Sequence, residues 1–188
     1  LNKAVVASTI GTRSFEAGFR LVIAHTDSPR LDLRPNPLYE SDHLSYFKTH
    51  YYGGIKKYQW VALPLALHGV VVKKDGTTVT LNIGDKPGDP VFYISDLLIH
   101  LAADQMGKTA AKVIEGDSLN IIIGSEPKKD TDKDPVKTAI LDILKEQYSI
   151  DEEDFISAEL EAVPAGHARD LGFDRSMIMG YGHDDRGR

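Results

Sequence analysis

The chain has 188 residues, of which 41% are hydrophobic and 27% are charged, and its formal net charge is -6. These values are typical of a globular protein with one ordinary domain, or with a small domain plus part of another. The acidic balance and the lack of a dense Lys/Arg cluster argue against a nucleic-acid-binding protein. The absence of cysteine excludes disulfides, thiolate metal sites and cysteine nucleophiles.

No segment predicts a membrane span or a secretory signal. The longest apolar stretch, "WVALPLALHGVVV", is interrupted by Pro64, His68 and Gly69 and is too short to cross a bilayer. The first residues, "LNKAVV", lack a basic region followed by an apolar core. We therefore expect a cytoplasmic protein and, because the sequence does not begin with Met, we expect its natural start to lie upstream.

The first half of the chain predicts a strand, a hairpin and a helix. Residues 19–24, "FRLVIA", are short, continuous and apolar, as in a buried strand. Pro35 and Pro37 then predict a break in regular structure. Residues 70–73 and 77–83 alternate around an Asp75-Gly76 turn, which predicts a hairpin. A helix is predicted over residues 95–107, capped by Ser95, with an apolar stripe and Gly107 as its end.

The second half continues the alternation of strands and helices. Residues 119–126 predict a buried strand, and the charged run "EPKKDTDKDP" predicts a solvated loop. A helix should follow through residue 148, with Asp134 at its N-cap and Pro135 at its first position. Residues 156–166 predict another strand, and "MIMGYGHDDR" a further strand or loop that ends in acids.

Polar clusters, "AHTDS" and "GYGHDDR", follow predicted strands near the two ends of the chain. Ligand sites in open α/β sheets lie beyond the carboxyl ends of strands. The two clusters would therefore converge if the roughly 120 residues between them, a typical domain size, formed an inserted domain.

His25 and Asp27 lie two residues apart, so an extended backbone directs both side chains to the same side. A histidine that binds a metal usually donates its other ring N–H to a carboxylate or a carbonyl. Spacing leaves open whether Asp27 is that partner. Asp184 and Asp185 are adjacent and face opposite sides in an extended chain, so only one can point at a given metal pair.

The competing interpretation is capping and salt bridging, and spacing alone favours it. His-x-Asp occurs at His25-Asp27 and at His183-Asp185, whereas seven histidines in this aspartate-rich chain give roughly one such pair by chance. We expect structural roles for the other histidines. Aromatic residues that stack on nucleic-acid bases usually lie in a basic groove. No such groove is predicted near one aromatic group, so we expect its members to pack or to form an interface: Tyr51, Tyr52, Tyr58 and Trp60.

Six stretches in order, "AHTDSPRLDL", "NPLYE", "FKTHYYGGIKKYQW", "PLALHGVVV", "SAELEAVPAG" and "GYGHDDR", resemble the aspartyl aminopeptidase and vacuolar aminopeptidase I family. The resemblance implies an α/β fold: an α/β/α zinc-exopeptidase domain interrupted by an inserted, mostly β domain with helices. It implies a peptidase-core part at residues 1–33, an inserted dimerisation or oligomerisation domain at 34–155, and a return segment at 156–188.

The same resemblance implies site residues. His25 would be a zinc ligand, Asp27 the catalytic acid that orients this ligand, and Asp185 the carboxylate that bridges two zinc ions. His100, in "SDLLIHL", would reach the substrate pocket of a neighbouring subunit. Zinc is implied by the family, since His/Asp sites also accept Mn or Co.

One departure from the family bears on activity. The family's general base, in a Glu-Glu pair, and two further ligands, an Asp and a His, lie well beyond the "DDR" motif, and this chain ends three residues after Asp185. Glu152-Glu153 lies in the acidic stretch "DEEDF" and does not substitute for the base. We therefore expect the isolated chain to be inactive.

Two functions of different classes follow. One is part of a metallo-aminopeptidase that releases N-terminal amino acids from peptides, with preference for acidic or neutral residues left open. The other is a module that assembles a homo-oligomer, often a dodecamer in this family, or a non-catalytic relative that kept the scaffold. Neither involves nucleic acid or a membrane.

Overall fold

The computed structural model describes residues 6–23 and 28–181, and the chain divides into two compact units. In the first, Phe15–Ala17 forms a short 3-10 helix. The strand predicted over residues 19–24 is wrong where the structure describes it, because residues 19–23 are exposed and have no strand structure. A buried strand needs neighbouring strands to which its backbone can hydrogen-bond. The described residues of this unit contain no strand that could serve as such a neighbour.

The second unit, residues 29–181, is built on an antiparallel sheet of seven strands. The sheet order is β4-β3-β5-β6-β2-β1-β7, and an additional β3–β7 pairing closes it on itself. The strands are β1 (Arg30–Ser41), β2 (Leu44–Tyr52), β3 (Pro64–Val72), β4 (Thr78–Ile83), β5 (Phe92–Tyr93), β6 (Ile121–Gly124) and β7 (Ala158–Pro164).

Strand β3 is the branch point of the sheet. One of its edges pairs with β7, from Leu65 to Val71. Its other edge pairs first with β5, at Pro64 and Leu65, and then with β4, from Leu67 to Val72. Six strands therefore close into a ring, and β4 lies outside that ring.

The prolines near the start of the sheet do not end regular structure as predicted. Pro35 and Pro37 lie inside β1, where the pairing with β2 shifts register between Leu33 and Leu38. Proline lacks the N–H that a ladder requires and is tolerated in strands at such irregularities. The strand therefore continues through both prolines by way of a bulge.

The core lies on one face of the closed sheet. Alternate strand residues are buried there, because successive side chains of a strand point to opposite faces. Examples are Leu31 in β1, Leu65 and Leu67 in β3, and Leu160 and Ala162 in β7. Each fully buried leucine contributes about 1.5–3 kcal/mol relative to an exposed one, so this cluster is a main source of stability.

The described residues contain two α-helices: α1 (Ala103–Met106) lies between β5 and β6 along the chain, and α2 (Pro135–Tyr148) lies between β6 and β7. Helix α2 contacts β1, β2 and β6 and buries Val136 and Leu144. Short 3-10 helices lie at Lys57–Gln59, Ile99–Leu101, Gly116–Ser118 and Glu152–Ser157. In the part of the chain that the structure describes, no helix has the length and apolarity to span a membrane.

The predicted position of helix α2 is confirmed, but its cap differs. Asp134 is the N-cap residue and Pro135 is the first helical residue, yet the Asp134 side chain makes no capping hydrogen bond. A capping side chain needs an extended backbone, and Asp134 has a φ of 47°. The backbone N–H of Lys137 instead donates to Glu40 Oε2 of β1, at 2.9 Å.

The helix predicted over residues 95–107 is wrong for most of its length. The chain leaves β5 at Tyr93, forms the 3-10 helix Ile99–Leu101 and only then the four-residue α1. Ala102 of the predicted apolar stripe is buried, but most of the stripe is exposed, with 55% of Leu97, 69% of Leu98 and 70% of Leu101 accessible. An amphipathic helix is stabilised by burial of its stripe, and the described residues leave the leucines of this stripe uncovered.

The other predicted elements are confirmed. Strands β3 and β4 form the hairpin over residues 70–83, β6 and β7 match the predicted apolar runs, and the charged loop before α2 has no regular structure. Strands β8 (Arg169–Leu171) and β9 (Met177–Met179) form a second, exposed hairpin. The "GYGHDDR" motif lies outside the described residues from residue 182 onward.

Candidate active site

The three side chains predicted to act at the metal centre, His25, Asp27 and Asp185, lie outside the described residues. Within residues 6–23 and 28–181, no group of three or more His, Cys, Asp or Glu side chains could hold a metal ion. The predicted donors, an imidazole and carboxylates, are of the type that zinc accepts in catalytic sites. The chemistry of the donor set therefore fits zinc, and its geometry stays a prediction.

His100 is described, and it is exposed in the 3-10 helix Ile99–Leu101. Its neighbours Leu98, Ile99 and Leu101 are each more than 60% exposed. Large exposed apolar patches mark interaction sites. The accessible apolar residues around this histidine therefore favour an interface at this segment. The role of His100 at a neighbouring subunit stays a prediction.

A second histidine forms a defined polar site that the sequence did not single out. His68 Nε2 lies 2.7 Å from Asp85 Oδ2, and Asp85 Oδ1 accepts the backbone N–H of Gly166 at 3.0 Å. The Gly166 N–H and, more weakly, His68 lower the pKa of Asp85 below its usual value, against an opposing effect of burial. Asp85, directly after β4, thus links His68 of β3 to the chain that leaves β7.

No sequence signal could have found this pair. The two residues are 17 positions apart, and only the β3–β4 register and the turn after β4 bring them together. Two donors do not make a metal site of the usual three or four ligands. The pair is therefore a structural clasp, as expected for a histidine outside the predicted site.

Arg30, the first residue of β1, contacts side chains of three strands. Its Nε lies 2.8 Å from Asp32 Oδ1 and 2.8 Å from Glu161 Oε2, and its guanidinium carbon lies 4.0 Å from the centre of the Tyr52 ring. Cation–π contacts of this kind contribute about 0.5–1 kcal/mol at exposed sites. These contacts join β1, β2 and β7 directly after the predicted ligand segment.

The aromatic group predicted to pack or to form an interface does pack in part. Trp60 is buried, and its ring meets the Tyr181 ring edge-on with centroids 5.8 Å apart. Tyr51 stacks on His50 at 5.5 Å, and Tyr52 contacts Arg30. Tyr58 is 40% exposed.

Two open depressions share Gly116. One, of about 410 Å³, is lined by Lys57, Lys108, Ala111, Lys112, Ile114 and Glu115. The other, of about 340 Å³, is lined by Arg34, His50, Tyr51 and Asp117. Neither is lined by His100 or by the His68–Asp85 pair, and neither holds a set of metal donors.

The family model and the curated relatives that this chain matches belong to the same family. The family model described as "Aminopeptidase I zinc metalloprotease (M18)" matches residues 1–188. A probable M18 family aminopeptidase 1 of Clostridium acetobutylicum is 61% identical over 185 residues, which are 98% of this chain and 40% of that relative. The chain thus spans about 40% of the length of this curated relative.

Solved structures agree with the sequence comparison. The M18 aminopeptidase of Thermotoga maritima has a TM-score of 0.82 and 52% identity, covering 86% of this chain and 36% of that one. Aminopeptidase I of Clostridium acetobutylicum has a TM-score of 0.80 and 60% identity, covering 87% and 36%. The mixed α/β structure with its closed sheet resembles these enzymes, and the chain belongs to the aminopeptidase I zinc metalloprotease family, M18.

Proposed function

We propose that this chain forms part of an aminopeptidase that removes N-terminal amino acids from peptides with two zinc ions. The match of the M18 family model over residues 1–188 carries the proposal. The identity of 61% to a probable M18 aminopeptidase supports it.

In this proposal His25 and the carboxylate of Asp185 would hold the zinc ions, with Asp185 shared between the two ions. Asp27 accepts the second ring N–H of His25, which fixes the tautomer and orientation of the imidazole. When bound, the two ions would acidify a water molecule and polarise the scissile carbonyl. In this proposal residues 1–188 do not supply the general base, a glutamate.

His100 is proposed to contact substrate held by a neighbouring subunit. Its exposure and the exposed apolar residues around it support an interface role for this segment. A histidine placed there could donate a hydrogen bond to the substrate without taking part in zinc binding. This role requires a homo-oligomer.

The second candidate function is assembly. The closed sheet of the second unit, together with the exposed segment around His100, supports an oligomerisation domain inserted into the peptidase core. The proposed boundaries at residues 33 and 155 fall inside β1 and just before β7. We propose that the inserted domain extends to the ends of the closed sheet, near residues 29 and 165, so that its limits divide no strand. A solved structure of the same fold, 15% identical with a TM-score of 0.52, is a dodecamer of S. cerevisiae mApe1.

The isolated 188-residue chain is proposed to be inactive, because in this proposal it would supply one ligand histidine and one ligand carboxylate, and it spans about 40% of the curated relative. A dinuclear site needs further ligands on each ion. Chelator-sensitive release of amino acids by the purified chain, abolished by His25→Ala, would contradict this.

The enzymatic proposal is tested with a chimera in which residues 1–188 replace the aligned segment of the Clostridium acetobutylicum relative. We expect chelator-sensitive aminopeptidase activity, at least 100-fold lower after His25→Ala or Asp185→Asn. The matched control His43→Ala changes an exposed turn residue between β1 and β2 and should keep full activity. A folded chimera whose activity survives both site substitutions would refute the assignment.

His100 is tested in the same chimera. His100→Ala should lower kcat/KM by at least 10-fold while zinc content and oligomer size stay unchanged. Mixed oligomers of His100→Ala and His25→Ala subunits should regain activity, because one subunit supplies the zinc and the other supplies the histidine. No recovery on mixing would show that His100 does not act across subunits.

A further inference from the structure

Strand β4 carries the open edge of the sheet. Every other strand of this sheet has a neighbour on each side, whereas β4 pairs with β3 alone among the described strands. Its register with β3 is continuous from Thr78 to Ile83, without a bulge. An unpaired strand edge offers a row of N–H and C=O groups that can pair with another chain.

The hairpin turn fixes which residues of β4 face outward. The N–H of Lys73 donates to the carbonyl of Thr77, so this pair is hydrogen-bonded. In an antiparallel ladder, hydrogen-bonded and non-hydrogen-bonded pairs alternate. Val79, Leu81 and Ile83 therefore direct their backbone groups to β3, and the remaining residues direct theirs to the open edge: Thr78, Thr80 and Asn82.

The edge lacks the usual protection against pairing. Native edges are blunted by proline, lysine or a bulge, and the sequence TVTLNI contains none of these. The side chains of Thr78, Thr80 and Asn82 are exposed, whereas Leu81 and Ile83 are buried. One face of the edge is thus anchored in the core, and its outer face is polar and uncharged.

The charged residues that flank β4 are engaged within their own chain. Lys74 pairs with Glu153, and Asp75 accepts the N–H and the hydroxyl of Thr77. Lys73 Nζ donates to the Ser149 carbonyl at 2.5 Å, and Asp85 is held by His68 and Gly166. These contacts leave the uncharged edge itself as the surface available for pairing.

We propose that β4 pairs antiparallel with β4 of a second copy of this chain, with Thr80 on the two-fold axis. In this register Thr80 lies opposite Thr80 of the second copy, and Thr78 lies opposite Asn82. All the outward groups then pair, giving about six hydrogen bonds. A register centred on a neighbouring residue leaves some of them unpaired. Cross-strand Thr–Thr pairs are also favourable.

The same edge would accept an extended peptide of another protein by strand addition. The second copy is favoured because the edge is complementary to itself residue by residue, which a two-fold interface requires. The choice of a second copy as the partner rests on the proposed assembly function. Its tests measure association rather than hydrolysis, so failure of the two proposals is distinguishable.

The first test uses the absence of native cysteine. Thr80→Cys in the 188-residue chain should form a covalent dimer under mild oxidation, because hydrogen-bonded partners lie about 5.5 Å apart at Cα, within disulfide range. Thr78→Cys is the matched control, since two copies of residue 78 would lie about 14 Å apart. Equal cross-linking at both positions, or none at residue 80, overturns the proposal.

The second test uses charge across the same register. Thr78→Lys with Asn82→Lys places like charges opposite each other and should weaken self-association at least 10-fold by light scattering. Thr78→Glu with Asn82→Lys places opposite charges together and should keep association near that of the unchanged chain. Both pairs of substitutions lie on the exposed face, and circular dichroism checks the fold. Equal association of the two variants contradicts pairing through β4.

Discussion

Gly69 lies at a point of β3 where a side chain has no room. Its φ is 135°, and a Cβ there would overlap the Glu159 carbonyl and lie 3.0 Å from Leu160 Cα of β7. Both neighbours are backbone atoms of a paired strand and cannot rotate away. We predict that Gly69→Ala lowers the free energy of unfolding by about 2–4 kcal/mol, measured by urea denaturation.

Gly107→Ala is the matched control for this prediction. Gly107 has an ordinary φ of -77°, and a methyl group added there would have the Asp104 carbonyl oxygen as its nearest neighbour, at 3.7 Å. The free energy of unfolding should change by less than about 0.5 kcal/mol. Equal effects at the two glycines would contradict the close approach of β3 and β7.

Asp85 should make the free energy of unfolding depend on pH. Its pKa is lowered in the folded chain, first by the Gly166 N–H and then by His68. The ionised form therefore stabilises the fold above the unfolded pKa of about 3.9, and this contribution is lost as pH falls through the lower folded value. Asp85→Asn should cost about 1–2 kcal/mol at pH 7, and the difference should shrink below about pH 4.

The measurement is urea denaturation of both proteins at several pH values. Asp104→Asn, at an exposed position in the first turn of α1, is the control and should show no comparable loss at pH 7. A difference for Asp85→Asn that stays constant from pH 7 to pH 3 would mean that ionisation of this carboxylate does not stabilise the fold.

At the scale of elements, helix α2 depends on a cap from the sheet. The Lys137 N–H donates to Glu40 Oε2 at 2.9 Å, and no capping hydrogen bond comes from Asp134. Removal of a capping acceptor costs about 1 kcal/mol. Glu40→Ala should therefore lower the free energy of unfolding by about that amount, whereas Asp134→Ala should have a smaller effect. The reverse order in urea denaturation would contradict the assignment of the cap.

The elements that the sequence predicted correctly are those in which local signals and tertiary packing agree. The Asp75-Gly76 turn lies between alternating residues, and Pro135 starts a helix whose Val136 and Leu144 are buried. The prediction of a helix over residues 95–107 was wrong because an apolar stripe at helical spacing forms a helix only when another surface covers it. Strand β1 was missed because its prolines look like breaks, although a bulge accommodates them.

At the scale of the whole molecule, contacts between distant residues could not be predicted. The pairing of β3 with β7 and the His68–Asp85 clasp depend on the closure of the sheet, for which a single sequence gives no register signal. The metal donors stay a prediction that comes from family resemblance, because two His-x-Asp pairs by themselves are close to chance. The family was predictable because six stretches occur in the right order along one chain.

The most direct test of the account is the zinc content of the purified chimera with the Clostridium acetobutylicum relative, measured by elemental mass spectrometry. We predict about two zinc ions per subunit, as expected for a dinuclear site, and a loss of zinc after Asp185→Asn or His25→Ala. His43→Ala should keep the full content. Unchanged zinc in both site variants would contradict the claim that this chain supplies ligands to the metal centre.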